Sequence, residues 1–365
     1  MYKSTSYSYG LVLLTISVGM GILSNTRSKE TYRSKILSQS SGSQSGVFLS
    51  IDNFESFCMQ QFGKVNILPD MLESSQIEVL DTLQLWINSM NESLAPSTVK
   101  MYFSRVKVYL HYMGIKLDTQ DVKTELSFRR VPQEEKYGLK LDDIQKILDN
   151  IYFPMKVQLL CQLSSLTRIG EIVQLRKKDL ILDKQNIVVK IPSEIAKFQK
   201  ARTTFFSKEA SALLRPQLKK LSDNDLVFGS NDNVLLAEQN SGQILRRCII
   251  KLGLDMKTSR TELNLINTHA FRAYGITKLS RHDPNFARRL AGQKGYLDQY
   301  DRLSDDEKLA LYQKYEYTLM IDESKKDKAR IEKLESEKDF RINRLEQTIL
   351  DMKDSMDRFT SNSKS

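Results

Sequence analysis

Apolar residues along this chain recur mostly at the three- and four-residue spacing of helices, with one short stretch that alternates as strands do. Phe54, Phe57 and Cys58 share one helical face, as do Val79, Leu80, Leu83, Trp86 and Ile87. Ala95-Pro96-Ser97-Thr98 reads as a helix start with Ser97 or Thr98 as N-cap. The helix it opens carries Val99, Tyr102, Phe103, Val106, Tyr109 and Leu110 on one side and Lys100, Arg105 and Lys107 on the other. A further helix begins at Leu141-Asp142-Asp143-Ile144, where Asp142 or Asp143 is the expected cap. Residues 155–166 are so apolar that a buried helix is expected. The only good strand signal is Ile187-Val188-Val189 with Thr203-Thr204-Phe205-Phe206, flanking a basic turn at 197–202. Helical patterning resumes over Lys208–Leu221 and Ser241–Leu252, then around Thr268–Arg272, at Asn285–Ala291 and on to Ile321.

The end of the chain has a different pattern. Ile342, Leu345, Ile349, Met352, Met356 and Phe359 alternate at spacings of three and four, a heptad seam that is broken upstream at Glu335 and Lys338. A coiled coil or a self-docking helix is expected there, with a lone exposed helix as the alternative. The pattern divides the chain into a leader and flexible linker (1–46), a helical unit (47–120), a connector (121–138), a larger mainly helical unit with a small antiparallel sheet (139–320), and a coiled-coil-like tail (321–365). The linker assignment rests on the polar run ending in Ser-Gln-Ser-Ser-Gly-Ser-Gln-Ser-Gly. The apolar run from Gly10 to Leu23 is short for a membrane span, which needs about 20 residues. It reads as a poorly ordered or short helical leader, with a signal peptide or membrane anchor as the alternative.

Composition narrows the function. The chain has 365 residues and a formal net charge of +10. From Ile321 to Ser365 there are 11 Lys+Arg and 11 Asp+Glu, so the whole excess sits on residues 1–320. Such a field favours an anionic partner, most often nucleic acid, with an anionic membrane surface as the other option. Cys58, Cys161 and Cys248 lie among apolar neighbours, as buried free thiols in a reducing compartment do, which places the protein in the cytoplasm. With three histidines and no cysteine pairs, a structural zinc site is excluded, and neither a metal nor a small-molecule cofactor is expected.

Several residues then gain meaning from their order. Arg168 follows the buried helix in Leu166-Thr167-Arg168-Ile169-Gly170-Glu171, where a rigidly held guanidinium can fork onto a phosphate, although pairing with Glu171 is the simpler reading. Lys197 lies in the basic turn with Lys200 and Arg202, where a lysine can reach a DNA groove. His269 and Arg272 are three apart on one helix face and can form a second anion clamp. Gly292-Gln293 follows, then Lys294-Gly295-Tyr296-Leu297-Asp298-Gln299-Tyr300, a polar context suited to a tyrosine that must swing.

This order resembles that of the tyrosine recombinase (phage integrase) family, archaeal members included, over roughly residues 50–320. Leu166–Glu171 is similar to the family's first arginine box, Lys197 falls in its lysine-bearing hairpin, and Thr268-His269-Ala270-Phe271-Arg272 is similar to its His-x-x-Arg box. Gln293 stands where the family usually has histidine, and Tyr300 follows it by seven residues where about nine is usual, so Tyr296 competes with Tyr300; Tyr312, Tyr315 and Tyr317 are more distant candidates. The resemblance implies a SAM-like core-binding domain followed by a catalytic domain, both holding duplex DNA. It also implies a tetramer acting on paired sites and a covalent 3′-phosphotyrosine intermediate. Arg168, Arg272, His269 and Gln293 would hold the phosphate, Lys197 would be the general acid and Tyr300 the nucleophile. Lys100, Arg105, Lys107, Lys200 and Arg202 would contact DNA. The heptad tail is an addition to the family core, expected either to self-associate through 342–359 or to dock on a partner recombinase. A catalytically impaired DNA-binding relative and a type IB topoisomerase-like enzyme are the rival readings.

Overall fold

A computed structural model describes residues 27–39, 41–64, 66–130, 137–229, 232–257, 264–293 and 302–362. The apolar run 10–23, Lys294, Tyr296 and Tyr300 lie outside the described residues. The chain divides into two compact units, 1–134 and 135–365.

The N-terminal unit is helical: α1 (Lys29–Lys35), α2 (Ser41–Phe62), α3 (Leu68–Glu73), α4 (Gln76–Met90), α5 (Pro96–Tyr112) and α6 (Thr119–Glu125). Its core gathers Ile51, Phe54, Leu83, Trp86, Val106 and Leu110. The Phe54 ring meets Trp86 edge-on at 5.0 Å. The buried indole is satisfied, with Trp86 Nε1 donating to Asn53 Oδ1 at 2.9 Å. Every residue of the expected apolar face of α5 is buried. Its start differs from expectation: Ala95 is the N-cap and makes no side-chain cap bond, while Pro96 at the first helical position supplies a preset φ instead.

Two further expectations are corrected here. Residues 27–46 are not a flexible linker throughout, because α1 is closed by a capping box at Ser28 and α2 already begins at Ser41. Tyr32 and Ile36 are buried, with the Tyr32 ring 5.2 Å from Tyr109, so tertiary burial outweighs the polar composition. The connector 121–138 likewise begins inside α6, which Asp118 caps through Gln120 N and Asp121 N.

The C-terminal unit contains α7 (Leu141–Asn150), α8 (Phe153–Ser165), α9 (Ile169–Ile172), β1 (Leu180–Ile181), β2 (Val188–Ile191), β3 (Arg202–Phe205), α10 (Lys208–Leu218), α11 (Val234–Lys251), α12 (Thr268–Ser280), α13 (Pro284–Leu290), α14 (Asp305–Tyr315) and α15 (Glu323–Asn362). The cap of α7 is Lys140; Asp142 and Asp143 sit inside its first turn, where they favour the helix dipole. α11 begins at Val234, ahead of the expected Ser241. The sheet is antiparallel in the order β1-β2-β3, with Val188 opposite Phe205 and Ile191 opposite Arg202. The ten residues 192–201 therefore form the hairpin loop at its open end.

α8 is the spine of this unit, buried nearly throughout. α12 crosses it closely at Gly275, where an added Cβ would fall 2.3 Å from the Leu163 carbonyl oxygen. α14 closes over the hairpin: the Tyr312 ring lies 5.2 Å from Phe205 and its hydroxyl donates to Ser164 O at 3.0 Å. Among the described residues no helix is long and apolar enough to cross a membrane.

Candidate active site

The site begins where α8 ends. Leu166 takes the left-handed conformation (φ 58°), unusual for a leucine and stored here beside the site's arginines. The turn brings Thr167 and Arg168 back across the end of α8, and Arg168 becomes the N-cap of α9. Glu171, one turn on, is 2% exposed and accepts from Arg168 N at 2.8 Å and Arg168 Nη1 at 3.0 Å.

Glu171 has a second cation. Arg202, at the start of β3, donates to it through Nη2 at 2.6 Å and Nη1 at 3.1 Å, while its Nε donates to Leu290 O at 2.9 Å. Burial pushes the Glu171 carboxyl up, but the hydrogen bond and charge of Arg202, with help from Arg168, outweigh it and leave the group below its ordinary value. The reading of Arg202 as a DNA contact is corrected by this geometry: its guanidinium is committed to Glu171. Gly292 (φ 61°) passes so close that a Cβ there would lie 2.9 Å from the Arg202 guanidinium carbon.

Arg272 reaches the same place from α12. It is 2% exposed and donates to Leu166 O and, at 2.7 Å, to Ala291 O. Arg168 Nη1 shares that Ala291 carbonyl at 3.4 Å, and Arg168 Nη2 donates to Gly292 O at 3.4 Å. Burial, ahead of repulsion from Arg168, lowers the Arg272 guanidinium to about 10, so it remains charged at neutral pH. Two arginines distant in sequence are thus gathered around the end of α13.

In front of them lies a cavity of about 250 Å³, lined by Arg168, Lys197, Lys200, Arg202, Gln293 and Lys308 among others. Lys197, Lys200 and Gln293 are exposed. Phe198, 51% exposed in the hairpin loop, has its ring 5.7 Å from the Arg168 guanidinium and 5.9 Å from Lys197 Nζ. His269 lies on the exposed first turn of α12, and neither it nor the buried Arg272 lines the cavity. Tyr312 is fully buried, with its hydroxyl pushed well up by burial, so it is unsuited to be a mobile nucleophile. Tyr315 is half-buried and stacks on His282 at 5.3 Å.

Sequence reasoning did not reach Arg289 and Lys308 as cavity-lining cations. Arg289 could have been suspected from its place three residues before Gly292; Lys308 could not, because only the folding of α14 brings it there. On the N-terminal unit, Lys100 is exposed and Lys107 half-buried. Arg105 is turned inward, donating to Gly46 O at 2.8 Å and Ser50 Oγ at 3.4 Å, which corrects its reading as a DNA contact.

Residues 138–292, which hold the arginines, the hairpin and Gly292, match the phage integrase family. The match lies wholly within the C-terminal unit. No curated protein matches the chain. Among solved structures, lambda integrase, as a dimer bound to a COC′ core site, is 12% identical with a TM-score of 0.53, covering 76% of this chain and 97% of that one. The Tn1549 transposon integrase, in complex with transposon right end DNA, is 16% identical with a TM-score of 0.52, covering 77% and 96%. The XerH site-specific recombinase bound to its difH substrate is 17% identical with a TM-score of 0.51, covering 76% and 80%. At these identities the likeness speaks for a shared recombinase fold.

Proposed function

We propose that this integrase-family chain cuts and rejoins duplex DNA at specific sites through a covalent 3′-phosphotyrosine intermediate. The observation that carries the reading is the convergence of Arg168, Lys197 and Gln293 on one cavity, backed by Arg272 through the shared Ala291 carbonyl. Preorganised cations of this kind stabilise charge as it builds on a pentacoordinate phosphorus. Arg168 and Gln293, which line the cavity, hold the non-bridging oxygens, with Arg272 behind them on the Ala291 carbonyl that it shares with Arg168. Tyr300 Oη forms the new bond to phosphorus as the bond to the 5′ oxygen breaks. The departing oxygen takes a proton from Lys197 Nζ, and the phenolic proton passes to solvent. Religation is the reverse, with the 5′ hydroxyl attacking the phosphotyrosine.

Tyr300 lies outside the described residues, yet its segment joins two fixed points. Gln293 N donates to Arg288 O at 3.0 Å, Asp305 is ion-paired to Lys190 of β2, and both Gln293 and Lys308 line the cavity. DNA as partner is supported by the charge of +10 and by the DNA bound to the similar lambda, Tn1549 and XerH recombinases. Lys100, Lys107 and Lys200 are the proposed backbone contacts, a tetramer on two paired sites is the proposed working unit, and the protein works in the cytoplasm on the DNA itself.

The test uses nicked suicide duplexes tiling the DNA that flanks the protein's own gene. The wild-type chain is expected to form a covalent adduct that Tyr300→Phe abolishes and Tyr296→Phe retains. Loss in Tyr296→Phe alone would overturn the choice of nucleophile. Tight binding with no adduct on any duplex would overturn the enzyme reading and leave a DNA-binding relative.

A further inference from the structure

α15 runs unbroken from Glu323 to Asn362, a length of roughly 60 Å at about 1.5 Å per residue. It packs against residues 316–319. Farther along, Ile331, Leu334, Ile342, Leu345, Ile349 and Met352 are all exposed. Isolated helices in water gain most of their stability from a buried face, and this one presents an apolar stripe with no cover from its own described chain.

The heptad register says what fits the stripe. With Ile342 and Ile349 at the a position, Leu345 and Met352 fall at d, and Met356 and Phe359 continue the a and d sequence. We infer that the stripe is covered by the same stripe of a second copy, as a parallel two-stranded coiled coil over residues 342–359. β-branched residues at a with leucine at d favour two parallel strands. Arg341 at g and Glu346 at the next e place opposite charges across the seam, twice by symmetry. The tail has equal numbers of acids and bases, so two tails meet without the repulsion that two basic bodies would feel. Glu335 and Lys338 occupy the preceding a and d positions, where a parallel pair sets like charges against each other. The two helices therefore splay before they reach their separate C-terminal units. A seam this short makes a weak, concentration-dependent dimer. Nothing here depends on the chemistry at the arginines, and assembly alone is the readout.

The experiment is disulfide trapping in the full chain. Cys58, Cys161 and Cys248 are all buried, so they do not compete with a thiol placed on the tail. Leu345→Cys should cross-link to a dimer under mild oxidation, while Gln347→Cys, on the outer face, should not. By sedimentation the wild type should pass from monomer to dimer with concentration. Leu345→Asp with Ile349→Asp should stay monomeric while the denaturant midpoint of the rest of the chain is unchanged. Cross-linking only in mixtures of Leu345→Cys with Met356→Cys would overturn the parallel arrangement. A wild type that stays monomeric with no cross-link overturns the proposal, and tail amides protected from exchange in that monomer would assign the stripe to docking within one chain.

Discussion

Removing the charge of Glu171 leaves Arg202 inside the protein without a counter-ion, because one carboxylate serves both Arg202 at 2.6 Å and Arg168 at 3.0 Å. Breaking a buried pair from one side costs about 3 kcal/mol or more. Glu171→Gln is therefore expected to lower the unfolding free energy by that amount, read as a lower denaturant midpoint, and to weaken phosphate handling further by loosening Arg168. The pH dependence follows from the depressed carboxyl. Its stabilisation is fully present above the ordinary value of 4.5 and is lost as the pH falls through the lower folded-state value. Acid unfolding curves of wild type and Glu171→Gln should converge at low pH; curves that keep the same separation at every pH would show that the ionised carboxyl contributes nothing to the difference. The arginines were legible as motif positions, since Arg168 and Arg272 stand in short boxes. The partnership of Glu171 with Arg202 was not, because it spans 31 residues and depends on strand register.

Among the elements, α12 is set by its close approach to α8. At Gly275 a methyl group would strike the Leu163 carbonyl oxygen and the Leu166 side chain, at 2.3 and 2.6 Å. Gly275→Ala should cost about 1–3 kcal/mol as the helices move apart. Because Arg272 lies one turn earlier and donates to Leu166 O, covalent adduct formation should fall more than the stability loss alone accounts for. Equal adduct yield at full folding would refute this coupling. α5 offers a contrasting pair. Lys100→Ala should reduce the salt dependence of DNA binding by about one unit of slope while leaving thermal stability unchanged. Arg105→Ala should do the reverse, because its guanidinium ties α5 to Gly46 and Ser50 of α2. The apolar face of α5 could be read directly from spacing, since every residue expected inward is buried. α1 and the start of α2 could not, because Ser, Gly and Gln carry no periodic signal and the helices form against Tyr109 and the rest of the core.

At the scale of the molecule, two hydrophobic cores share no member: one runs from Tyr32 to Leu126 and the other from Leu139 to Ile321. Each has its own large buried aromatics, Trp86 and Phe54 in the first, Phe205, Phe271 and Tyr312 in the second. A unit with its own core can fold by itself. Chains ending at residue 130 and beginning at residue 137 should therefore each unfold cooperatively, with a helical circular dichroism signal and dispersed amide resonances. The arginine cluster draws only on Arg168, Glu171, Arg202, Arg272 and backbone of the same unit, so the C-terminal fragment should keep it intact. Such a fragment should bind DNA more weakly than the whole chain and with a shallower salt dependence, since the phosphate contacts proposed for Lys100 and Lys107 are gone. If the fragment beginning at 137 were unfolded, the second core would depend on the first. If it folded yet matched the whole chain in affinity and salt slope, the basic face of α5 would have no part in holding DNA.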